Sequence, residues 1–283
     1  MFEDKFSESE GSIEDKKWKT GRAEKVSEEG LIDLDTAFKQ MGGFGRFQWL
    51  ATFSLCLSRN SGNYLYYCFA YLTLEQMFEC KAVDGQFEAC TASEQICPAR
   101  ALGTDLEFRV DNSYEYHLQN WYLEMDLLCQ SKVKTSFLVS ARYIACGVAG
   151  FFFFALPERY GRKKTMLCSL MPSLVSQYVI VFSVNYWARL GGFILFGICQ
   201  LKSGISFVWL GELVPKRNNV HVSAAISSFD ASTLGVACFY FLFISRDWFP
   251  LILAMTVLGT AAFLINAFVL PESPTWLLNK GRT

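Results

Sequence analysis

Apolar and polar positions in this chain are segregated into long blocks, without the mixing at helix or strand period that a soluble fold shows. From Phe47 onward, runs of membrane length are almost wholly apolar and are separated by short charged turns. A bilayer core takes ~20 apolar residues per helix. The runs predict spans at 47–74, 135–156, 165–184, 188–210, 220–244 and 249–270. The expectation is an all-α integral membrane protein with six transmembrane helices and a large Cys-containing extracellular loop between the first two.

The polar blocks orient these spans. Residues 157–164, Pro-Glu-Arg-Tyr-Gly-Arg-Lys-Lys, form a basic turn between two apolar runs. Cations gather in short loops on the cytosolic side, so this turn belongs there. Gly211 to Arg217 repeats the pattern after the fourth span. Residues 75–134 form a long loop in which acids such as Glu75, Glu79, Glu88, Glu94, Glu107 and Glu124 outnumber the cations. That loop is expected outside. Residues 1–30 are rich in Glu, Lys and Ser and are expected to be a disordered cytosolic tail. The tail lacks the apolar stretch of a signal peptide, so the first span must itself act as the signal. Residues 31–46 look like an amphipathic segment at the membrane surface, and 271–283 like a cytosolic end. Both termini are then cytosolic, with the plasma membrane the default location.

Composition narrows the chemistry. Hydrophobic residues are 52% and the net charge is −1, which gives no argument for nucleic acid. Cys80, Cys90, Cys97 and Cys129 lie in or at the edge of the outer loop. An oxidising side favours disulfides, and four Cys allow three pairings. The other Cys sit in apolar runs and read as packing residues. The two His, His117 and His221, are far apart. No metal site, cofactor cradle or nucleophile–base pair is readable, so neither an enzyme nor a cofactor is expected. Polar and ionisable residues inside a span mark function by default, which singles out Arg59, Asn60, Asn63, Lys202 and Asp230. The alternative is an ion pair holding helices together, such as Arg59 or Lys202 with Asp230. Arg142 is expected to snorkel to the outer interface.

Four stretches carry a resemblance. Gly42-Gly-Phe-Gly-Arg-Phe-Gln48, Trp121-Tyr-Leu-Glu-Met-Asp-Leu-Leu-Cys129, Glu158-Arg-Tyr-Gly-Arg-Lys163 and Leu270-Pro-Glu-Ser-Pro-Thr-Trp-Leu277 resemble motifs of the organic cation/organic anion transporters. These belong to the major facilitator superfamily. The resemblance covers Phe38 to Arg282, the amino-terminal six-helix half of a twelve-span carrier. Departures include Phe154 for Gly, Glu158 for Asp, Asn219 for Arg and Thr275 for Arg, and the outer loop has no N-x-S/T sequon. The resemblance implies alternating-access transport of a small organic ion through a lipid bilayer. It also implies a cytosolic gate built from Glu158, Arg159, Gly161, Arg162, Lys163, Glu212, Lys216 and Arg217, with Glu158 and Arg162 latching to Glu212 and Lys216 or Arg217. Three cations against one carboxylate in the spans hint at an anionic substrate. A half-carrier would be a fragment lacking its second six-helix half, or would pair with a second copy. Two further readings are a non-transporting structural subunit or remnant, and a receptor using the outer loop.

Overall fold

The computed structural model describes residues 43–82, 84–104, 106–111 and 117–281. The expected tail 1–30, most of 31–46 and residues 282–283 lie outside the described residues.

The first expected span is helical but broken. It consists of α1 (Arg46–Asn60), α2 (Asn63–Tyr67) and α3 (Phe69–Leu72). The break at Ser61-Gly62 has a packing reason. A Cβ on Gly62 would collide with the Phe196 ring, so the absent side chain lets this backbone press against its neighbour.

The loop that follows is not all-α. It folds into β1 (Phe78–Lys81), β2 (Phe87–Cys90), α4 (Cys97–Ala101), β3 (Phe108–Val110) and α5 (Trp121–Glu124). The strands make an antiparallel sheet in the order β2-β1-β3, with Phe78 opposite both Cys90 and Val110. This corrects the all-α expectation. Disulfide Cys80–Cys90, with a Cα–Cα separation of 5.7 Å, joins β1 to β2, strands too short to persist alone, and Cys97–Cys129, at 5.4 Å, ties α4 to the segment before α6. Phe78, Ile96, Tyr122, Leu127 and Leu128 supply a small apolar core beside them.

The remaining helices are α6 (Lys132–Phe153), the short turn helix α7 (Leu156–Tyr160), α8 (Arg162–Phe182), and the pair α9 (Tyr186–Ile198) and α10 (Leu201–Leu213). They are followed by α11 (Lys216–Phe239), α12 (Phe249–Phe268) and the closing α13 (Pro274–Asn279). Among the described residues, five segments are long and apolar enough to cross a membrane: α6, α8, α9 with α10, α11 extended to Ile244, and α12. The broken first span is not among them. Two apolar clusters stack along the bundle. One, near the sheet, joins Leu65, Trp121, Phe193, Trp248 and Ile252. The other joins Leu55, Leu170, Trp209, Leu210 and Leu270. Half of the most apolar window is buried in α8 and in α9–α10, against 22% in α6 and α11. Those two therefore flank the bundle, and Phe151, Phe152 and Phe154 are left on an open apolar face.

Candidate functional site

The break between α1 and α2 is where polar side chains converge. Asn63 Nδ2 donates to Asp230 Oδ1 at 2.6 Å and to Asn60 Oδ1 at 3.0 Å. Arg59 reaches Asp230 at 3.9 Å, while its Nη1 donates to the Ser203 carbonyl at 2.9 Å. The two charged side chains are 23% and 22% exposed. Four of the five singled-out residues thus form one cluster, on α1, α2 and α11. A pair this long and partly solvated contributes at most about 1 kcal/mol. Its partners can be exchanged cheaply, unlike those of a deeply buried pair.

Lys202 stands apart from this cluster. It is 1% exposed, and its Nζ donates to Ser173 Oγ at 2.6 Å beneath the Phe196 ring. Arg142 does not snorkel outward. It is 5% exposed, donates to Gln200 Oε1 at 3.2 Å, and lies over the rings of Tyr66, Tyr143 and Phe196. Two local features draw it in. The helix break at Cys199-Gln200 frees the Gln200 side chain. Gly197 lets the Arg142 backbone approach so closely that a Cβ would collide with the Arg142 carbonyl. Ser173, Phe196 and Gln200 were not singled out from sequence. Ser173 beside Pro172 and Gln200 within the fourth span carry the weak signal of small or polar character, and Phe196, one apolar ring among many in its run, carries none.

At the end of the bundle away from the sheet, the basic turn is a packed hub. Gly161 has φ +105°, a conformation that L side chains rarely adopt, and a Cβ there would meet the Glu272 carboxylate. Arg162 forks onto Glu212, Nε to Oε2 at 3.2 Å and Nη2 to Oε1 at 3.1 Å, with both side chains about 15% exposed. Its Nη1 donates to the Pro157 carbonyl. Glu272 Oε1 accepts from the Lys163 N–H at 2.8 Å and the Ser273 N–H at 3.0 Å. A carboxylate at a helix amino terminus satisfies orphan donors and complements the dipole, typically for 0.3–1 kcal/mol. Trp276 Nε1 closes the hub on the Glu158 carbonyl at 2.8 Å. The expected latch placed the Glu158 carboxylate in this role. Its side chain is exposed, and Glu272 fills the position instead. Arg159 lies over the Tyr160 ring. Lys216 and Arg217 are exposed at the start of α11.

The opposite end has its own clamp. Arg189, 1% exposed, donates to Glu124 at 2.6 Å and lies over Trp121 at 4.5 Å and Trp248 at 5.4 Å. Glu124 also accepts from Trp248 Nε1 at 2.8 Å. The loop domain is thereby fastened to the starts of α9 and α12. The clamp works by pairing and packing.

Residues 94–283 match the Sugar (and other) transporter family, two thirds of the chain. The chain belongs to that family. Through it the chain is a multi-pass membrane protein of the major facilitator superfamily, and its relatives place it beside the organic cation transporters. The organic cation/carnitine transporter 2 of Mus musculus is 30% identical over 169 residues, covering 56% of this chain and 28% of the relative. Its Homo sapiens counterpart is 27% identical over 180 residues, 60% and 30% of the two chains. The facilitated trehalose transporter Tret1 of Drosophila persimilis is 32% identical over 143 residues, 49% of this chain and 15% of the relative. The match to the first of these relatives spans less than a third of its length.

Proposed function

We propose that this chain forms the amino-terminal six-helix bundle of an alternating-access carrier for small organic ions. The observation that carries the reading is the helix break, where the partly exposed Arg59–Asp230 pair is backed by the buried Asn60 and Asn63. In carriers of this kind the site lies near the midplane, built on interrupted helices. Two six-helix bundles rock around it, so a second bundle, either a further half or a second copy, completes the site. The loosely flanked faces of α6 and α11 suit that contact.

The relatives' names bring organic cations and carnitine forward as substrate classes. The charge count in the spans suggested an anion, but Lys202 and Arg142 are buried on other partners. The open cluster then holds one cation and one carboxylate. A substrate's cationic group would displace Arg59 from Asp230, and the released guanidinium would remain on the Ser203 carbonyl or meet a substrate carboxylate. In this reading the Arg162–Glu212–Glu272 hub is the cytosolic gate, the disulfide-bonded domain is extracellular, and the location is the plasma membrane. Rearrangement of the hub would release α8 from α10 and the α12–α13 connection as the bundles rock.

The test is uptake of labelled organic cations, zwitterions and anions into proteoliposomes, with the oligomeric state measured in the same preparation. Saturable uptake lost in Asp230→Asn supports the carrier. A well-folded protein that moves none of them is the structural-subunit alternative.

A further inference from the structure

A second polar cleft lies outside the cluster just described. It opens where the end of α3, the loop domain and the start of α6 meet, and it encloses about 340 Å³. That is the small end of the range for ligand sites. Glu75 and Lys132 are its charged lining residues, and Tyr122, Gln130 and Ser136 add polar groups over a floor that includes Leu127. The ion pairs of the loop domain use other residues: Lys81 with Glu107, Arg100 with Asp126, Arg109 with Glu79, and Glu124 with Arg189. Glu75 and Lys132 therefore present one carboxylate and one ammonium to the same cleft, neither committed to a salt bridge among the described residues.

We propose that this cleft binds a small zwitterion, with its ammonium group on Glu75 and its carboxylate on Lys132. A ligand with one charge would engage one wall and leave the other unpartnered. A ligand with both charges satisfies both. The wall is held in place by covalent and packing contacts. Leu128 and Gln130 flank Cys129, which is bonded to Cys97. Tyr122 is buried, and its hydroxyl donates to the Leu128 carbonyl at 3.3 Å. Burial, with the Glu75 carboxylate beside it and hydrogen-bonded to it, pushes the Tyr122 phenol up to about 12; that bond orients the carboxylate and leaves it without a cationic partner among the described residues. The phenol therefore stays a neutral hydrogen-bond donor across the physiological range. The site is independent of the transport reading, since it shares no residue with the Arg59–Asp230 cluster.

Equilibrium binding to the purified chain tests the proposal. The probes are labelled glycine, β-alanine, 4-aminobutyrate and 5-aminovalerate, which step the distance between the charges. Butyrate, butylammonium and 1-butanol serve as comparisons. The expected result is saturable binding of at least one zwitterion, about tenfold or more tighter than the singly charged probes. Glu75→Gln and Lys132→Gln should each weaken it about tenfold. Both residues are exposed, so the variants should fold with unchanged thermal stability. Zwitterion binding lost in Asp230→Asn but unchanged in Glu75→Gln and Lys132→Gln would place the ligand on the Arg59–Asp230 cluster and overturn the proposal. The proposal is overturned if none of the four zwitterions binds, if 1-butanol binds as tightly, or if both charge-removing variants bind like the parent chain.

Discussion

Removing Glu124 should cost far more than its half-exposed position suggests. Arg189 is 1% exposed while Glu124 is 34% exposed. The substitution Glu124→Ala leaves the guanidinium buried with no carboxylate and deprives Trp248 Nε1 of its acceptor. Breaking a buried pair from one side costs 3–5 kcal/mol when both partners are buried. Solvent at Glu124 reduces that to about 2 kcal/mol, and the unpaired indole N–H adds about 1 kcal/mol. A loss of about 3 kcal/mol corresponds to roughly 6–10 °C in a domain of this size. The double variant Glu124→Ala, Arg189→Met removes the stranded charge and puts an apolar stem between Trp121 and Trp248. It should recover about half of the loss. Thermal unfolding of the purified protein in detergent, followed by tryptophan fluorescence, reads both values. A double variant as unstable as the sum of the two singles would refute the clamp, because independent sites add. So would a shift below about 1 °C for Glu124→Ala alone.

Other substitutions probe the remaining contacts. Arg162→Glu, which sets two carboxylates against each other at Glu212, should abolish uptake while surface abundance stays normal; unchanged uptake would remove the gate. Gly161→Ala should cost about 1–2 kcal/mol, from the positive φ and the collision with Glu272, and Glu272→Ala should relieve part of that cost in a thermal-unfolding cycle. Cys97→Ser with Cys129→Ser opens a longer loop than Cys80→Ser with Cys90→Ser, the sequence separations being 32 and 10. By chain entropy its loss should be about 3–4 kcal/mol and the larger of the two, measurable as protease sensitivity of the loop domain.

The long spans were readable because burial in lipid demands an uninterrupted apolar run, and α6, α8, α11 and α12 fall close to the runs that announce them. The sheet was not readable. Phe78-Glu79-Cys80-Lys81 alternates for only four residues, and its stability depends on disulfides whose pairing the spacing leaves open. Arg59, Asn60, Asn63 and Asp230 were found because polar groups inside a span stand out against Phe and Leu. Their convergence depends on Gly62 fitting against Phe196, a contact between residues far apart in sequence. Arg142 was misplaced for a related reason. Its distance from the interface is a one-dimensional fact, while the ring cage and the Gln200 amide are three-dimensional ones. Glu272 lay in a quoted motif, yet nothing local tells that its carboxylate caps α8, more than a hundred residues earlier in the chain.

If the Arg59–Asp230 cluster is the substrate's path through the bundle, transport must depend on its carboxylate. Uptake of labelled organic cations and anions into proteoliposomes, comparing the parent chain with Asp230→Asn at matched reconstitution, tests it most directly. The expected result is saturable uptake by the parent chain and its loss in the variant, with thermal stability lowered by no more than about 1 kcal/mol. A stable, well-folded chain without uptake, or a variant that transports as the parent does, would contradict it.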